Sequence, residues 1–217
     1  MIYGETPSIA AESWDNEVAT GGASGSHALD NNVRFGKPNL PSLRISANAG
    51  AGSYGVGHRG IGNEGLSIAA SRDYNGYVFV QAAPGTVVTF SLQDRIAGTT
   101  LATATASTVG AASSWQRLNF SMTTTGGTTC APLAAGSDPT VHCGNEPNTD
   151  HACIRCGGQF VITVPAGTTL NLGYAFLQPG AWGTYAGLPV KQGVVDLLNA
   201  MGIKSIRQGG TVSQTFR

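Results

Sequence analysis

The chain has 217 residues, enough for one full hydrophobic core and a tight fit for two. Its formal net charge is +0 and 11% of its residues are charged, well under the roughly 25% of an average soluble chain, so there is no basic footprint for nucleic acid. No run of about 18 apolar residues occurs, and no helical membrane span is expected. The 31 glycines, with abundant Thr, Ser and Ala, fit short strands joined by turns better than helices.

The opening MIYGETPSIAAESWDNEV has no basic region followed by an apolar one, so it is not an intact signal peptide. From about Ser42 the text reads as strands. Leu43, Ile45 and Ala47 alternate with polar neighbours up to Asn48-Ala49-Gly50. A glycine-rich turn is expected next, then strands over 65–69 and 76–81, the latter bounded by Asn75-Gly76 and Pro84-Gly85. Further strands are expected over 86–92, 100–105, 115–122, 159–164 and 169–176, making roughly eight in all, spaced as in an antiparallel sandwich.

Alternation stops between Thr123 and Gly158, and all four cysteines sit there: Cys130, Cys143, Cys153 and Cys156. A polar loop of this length carrying clustered cysteines predicts disulfides and an oxidising, secreted setting. Four cysteines allow three pairings; a nested arrangement, Cys130 with Cys156 and Cys143 with Cys153, is preferred. A zinc knuckle built on Cys153 and Cys156 with His142, Cys143 or His151 is the competing reading, but a second tight knuckle is missing. No cofactor or resident metal is expected. Beyond Pro179-Gly180, Val190, Val194, Leu197, Leu198 and Met201 form one helical stripe, with Gly202 as its stop. Ile203 to Arg207 then reads as a strand ending at Gly209-Gly210, completing one α/β step.

Two stretches repeat Gly-Asn-Glu, at Glu64 and Glu146. In sugar-cleaving barrels such a glutamate ends a buried parallel strand. Here Glu64 follows a glycine-laced turn leading into a sandwich, so a structural or ligand-contacting role is expected, and Glu146, before Pro147, is weaker still. Tyr54, Tyr74, Tyr77, Trp115, Trp182 and Tyr185 are candidate sugar-stacking rings. Tyr77 and Trp115 also suit core or edge positions, and Trp182 and Tyr185 suit packing between domains. No phosphate loop, GxGxxG or GxSxG elbow is present.

The segment GLPVKQGVVDLLNAMGIKSIRQGG, Gly187 to Gly210, resembles the first helix and second strand of the α-L-arabinofuranosidases of glycoside hydrolase family 51. Pro41 to Ile45 and Gly60 to Leu66 resemble the sandwich module inserted near the start of that family's barrel. The resemblance implies a mainly β chain: residues 1–38 an amino-terminal segment with a possible barrel-strand remnant at Ile2-Tyr3-Gly4, 39–178 a jelly-roll-like, carbohydrate-binding-module-like sandwich, and 179–217 the start of a (β/α)8 barrel. It implies a retaining hydrolase releasing terminal α-L-arabinofuranosyl groups from arabinoxylan or arabinan. Its two catalytic glutamates would lie beyond Arg217, leaving this stretch inactive by itself. Gly209 and Gly210 would border the substrate, although Gln208 stands where the family has Phe-Pro or a near equivalent. The implied partner is an arabinose-containing plant-type or algal polysaccharide. A free carbohydrate-binding module with a Tyr and Trp platform is the alternative.

Overall fold

The computed structural model describes residues 2–5, 14, 16–36, 40–60, 65–133, 153–186 and 192–203. In chain order the strands are β1 (Ile2–Glu5), β2 (Asn16–Thr20), β3 (Gly25–Phe35), β4 (Leu40–Ala47), β5 (Ser53–His58), β6 (Asp73–Ala82), β7 (Val87–Asp94), β8 (Thr99–Ser107), β9 (Gln116–Thr123), β10 (Cys130–Leu133), β11 (Cys153–Cys156), β12 (Gly158–Pro165) and β13 (Thr169–Pro179). One sheet runs β3-β4-β13-β6-β9, with β1 also on β13; the other runs β2-β5-β12-β7-β8. Every pairing is antiparallel. The expected jelly-roll-like antiparallel sandwich is therefore present.

Period-2 patterning drives the two sheets together. Leu118, Phe120 and Met122 of β9 face inward, as their spacing predicts, and meet Val88, Phe90 and Leu92 of β7 with Phe160, Ile162 and Val164 of β12. Phe120 stacks on Phe90 at 4.3 Å between centroids and on Phe160 at 5.5 Å, so three rings join the sheets at the centre of the core. Trp14, fully buried, lies edge-on to His58 at 4.9 Å and to Phe160 at 6.3 Å.

The amino-terminal segment corrects the sequence reading. Residues 16–20 and 25–35, expected to precede the sandwich, form outer strands of both sheets, and Ile2–Glu5 pairs antiparallel with β13. The expected turn after Gly50 is in part β5, a central strand. Its glycines obscure the pattern for a packing reason: a Cβ on Gly55 would lie 2.6 Å from the Thr163 Cα of the neighbouring strand. Residues 65–69, expected as a strand, contribute a single bridge from Leu66 to Gly158.

β10 and β11 pair in register, with Cys130 opposite Cys156, and a disulfide joins these two. This is the outer half of the preferred nested pattern. Cys143, with His142, Glu146 and His151, falls outside the described residues. Among the described residues no cluster of His, Cys, Asp or Glu could hold a metal ion.

Met1–Pro179 forms one compact unit and Gly180–Arg217 a second. The second unit contains a short 3-10 turn, Ala181–Gly183, and one helix, α1 (Gln192–Ala200). Gly202 closes α1 at φ 72°, with Gly202 N–H donating to Asn199 and Ile203 N–H to Leu198, as the αL stop requires. The expected strand from Ile203 to Arg207 lies beyond the described residues except for its first position. No described helix is long and apolar enough to cross a membrane.

Candidate functional site

The outward face of the β3-β4-β13-β6-β9 sheet carries a band of aromatic rings, built by a single irregularity. On β6, Tyr74, Val78 and Val80 point into the core, leaving Asn75, Tyr77 and Phe79 on the outer face. β13 starts with Leu170 and Leu172 in the core. Register then slips: Leu172 faces Val80 and Tyr174 faces Phe79, leaving Gly173 as an extra residue. Beyond this bulge Ala175 and Leu177 take the core positions, and Tyr174 and Phe176 emerge beside Tyr77. Gly173 also makes room for a neighbour, since a Cβ there would lie 2.5 Å from the Phe35 ring.

The rings form a connected row. Trp115 meets Phe35 edge-on at 4.9 Å, Phe35 lies 5.2 Å from Phe79, and Phe79 lies 6.0 Å from Tyr77. Tyr77 stacks on Phe176 at 5.1 Å and 25° and on Tyr174 at 5.9 Å and 22°. Burial pushes the Tyr174 phenol above its ordinary pKa, and the adjoining Tyr77 hydroxyl adds to that. Across the strand pair from Phe176, Arg117 of β9 covers the other side of Tyr77, its guanidinium carbon 3.9 Å from the ring centroid.

Next to this band lies a hollow of about 320 Å³ lined by Asn75, Gly76, Tyr77, Arg117, Asn119, Phe120, Phe176 and Gln178. Tyr77 and Phe176 supply an apolar wall, and three amides and one guanidinium supply the polar one. The Asn75 carbonyl oxygen accepts from Ser121 at 2.8 Å, which aims its amide. Such a mixture suits a ligand that is apolar on its faces and polyhydroxylated at its rim.

Of the sequence candidates, Tyr77 lies at the centre of this face and Trp115 at its margin, where the indole N–H donates to the Arg34 carbonyl at 3.0 Å. Tyr54 and Tyr74 are buried and structural; the Tyr74 hydroxyl accepts from Ala69 N–H at 2.9 Å. Trp182 and Tyr185 belong to the second unit. Glu64, Gly209 and Gly210 lie outside the described residues. Sequence reasoning missed Phe35, Phe79, Tyr174, Phe176 and Arg117.

Neither a family model nor a curated protein matches the chain. Solved structures do match. An arabinose-bound α-L-arabinofuranosidase, MgGH51, aligns with a TM-score of 0.63 and 19% identity over 97% of this chain and 30% of its own. The CBM22-1–GH10 modules of a Clostridium thermocellum endo-1,4-β-D-xylanase complexed with xylohexaose align at 0.49 and 10%, over 86% and 30%. The N-terminal cellulose-binding domain of Cellulomonas fimi β-1,4-glucanase C aligns at 0.41 and 15%, over 76% and 90%. The first of these likenesses shows a shared fold, and the chain spans 30% of that enzyme's length.

Proposed function

We propose that this chain is the sandwich-bearing part of a family 51-type α-L-arabinofuranosidase, and that its own task is to hold arabinose-containing polysaccharide on the outer face of the β3-β4-β13-β6-β9 sheet. The observation that carries the reading is the amphipathic hollow beside Tyr77 and Phe176, where rings and amide side chains converge on a sheet. The sequence resemblance of residues 187–210 supports the wider assignment. So does α1, whose apolar stripe stays open: Val194 is 47% and Leu197 61% exposed, as suits a helix that a parallel barrel would cover. In that enzyme the sandwich concentrates substrate, and glutamates elsewhere cleave it with retention. The setting proposed is secreted, consistent with the Cys130–Cys156 disulfide.

Affinity electrophoresis of the 217-residue chain in arabinoxylan and arabinan, beside an aryl α-L-arabinofuranoside assay, tests this reading. Retardation without hydrolysis is expected, with retardation reduced at least about tenfold by Phe176→Ala. Unretarded migration in every glycan would sink it. A second reading, a sandwich acting alone as a binding module, is favoured by the compactness of Met1–Pro179 and predicts equal retardation of that unit.

A further inference from the structure

Arg117 is the charged side chain in the hollow. Two contacts hold it: its guanidinium carbon lies over the Tyr77 ring, 3.9 Å from the centroid, and its Nε–H donates to the Asn119 side-chain carbonyl oxygen at 3.0 Å. Neither contact uses the terminal nitrogens, whose N–H bonds lie in the guanidinium plane. Among the described residues those nitrogens have no hydrogen-bonded acceptor and no ion-pair partner. Tyr77, covered by Phe176 on one side and Arg117 on the other, has no open face for a sugar ring. What the hollow offers at this wall is a fork of donors, held over a ring and oriented through Nε.

A fork of this kind matches a planar, two-oxygen anion, and stacking on an aromatic ring reduces the freedom lost when the anion binds. An uncharged pyranose or furanose gives such a fork no counter-charge. The surrounding amides, with the Asn75 amide nitrogen and Gln178 adjacent, suit sugar hydroxyls. We infer that the hollow recognises a uronic-acid unit of the polysaccharide, its carboxylate paired with the terminal nitrogens of Arg117. Asn119 acts as a positioning residue through Nε. This rests on the reading of the face as a sugar site and narrows it to acidic glycans.

Titration calorimetry of the full chain with a galacturonic acid oligosaccharide, its methyl ester, a neutral arabinoxylan oligosaccharide and dextran sulfate tests the inference. The free acid should bind at least about tenfold tighter than its ester at low salt, a gap that narrows as salt rises. Arg117→Gln should remove that gap while leaving the weaker binding of ester and arabinoxylan in place, and Arg117→Lys should restore part of it. Because Arg117 is exposed, an unchanged melting midpoint is expected and checks that the variants fold. Equal binding of acid and ester, unaffected by Arg117→Gln, overturns the inference and leaves the neutral-sugar reading standing. A preference for dextran sulfate over the uronate also overturns it. Binding to none of the four overturns both readings.

Discussion

Tyr54 of β5 donates its phenolic proton to Glu17 of β2 across 2.9 Å, and the same oxygen lies 3.2 Å from His27 Nδ1 on β3 of the opposite sheet. With its one proton committed to Glu17, the phenol accepts from His27, so one buried hydroxyl ties the two sheets together. Burial first, and the Glu17 carboxylate second, push the Tyr54 pKa up to about 12.

A phenol that keeps its proton to about 12 when folded, against 10.0 for the ordinary group, adds stability that is complete below about pH 10 and lost as pH rises through about 12. Urea midpoints measured from pH 9 to 12 should fall across that window. Tyr54→Phe should be less stable at pH 9 and should show a shallower fall; an identical pH profile in both proteins would refute the link.

On the acid side, Asp30 accepts from Asn32 N–H at 2.9 Å, Asn171 Nδ2 at 3.2 Å and Val33 N–H at 3.2 Å. These bonds, the Asn32 one foremost, hold its pKa below the ordinary 3.8. The resulting stability is present above that value and disappears as pH falls through the lower folded one. Thermal melts of Asp30→Asn should lie below wild type at pH 6 and converge on it toward pH 2.

Phe120 joins the sheets by stacking on Phe90 and Phe160. Phe120→Ala should cost about 3–5 kcal/mol in denaturant unfolding, the usual penalty for emptying a packed aromatic site. Phe79→Ala, on the outer face, should cost far less. Comparable losses in the two variants would contradict the assignment of faces.

Reducing the Cys130–Cys156 disulfide, whose cysteines are 26 residues apart, should lower stability by about 3 kcal/mol through the freed entropy of the unfolded chain. The comparison is the melting midpoint with and without reductant, with Cys130→Ser as a control that should no longer respond through this pair.

The core was largely legible in the sequence, because Leu118, Phe120 and Met122, or Leu43, Ile45 and Ala47, alternate without interruption and burial enforces the alternation. Tyr77 was named from its residue type alone, beside a core-or-edge reading, and its outward face is seen in the structure. β5 was not, since its glycines exist to admit a neighbouring backbone and carry no hydropathic signal. β3 was hidden by its polar, exposed side chains, which suit an outer strand with one hydrogen-bonded neighbour. Tyr174 and Phe176 were not singled out, and strict alternation from Leu170 and Leu172 would place them in the core. Arg117 drew no notice because its significance comes from Tyr77, distant in sequence and brought beside it only by the pairing of β6 with β9.

One inserted glycine at position 173 thus works as a phase shift in the strand. Two rings that strict alternation would bury become outward-facing without any change in their identity. Removing that residue would restore plain alternation after Leu172 and leave Tyr174 and Phe176 outward, whereas keeping it while ironing out the bulge would turn both rings inward and Ala175 and Leu177 toward water. The pairing register of β13 on β6, more than the identity of the rings, therefore decides which side of the sheet they occupy.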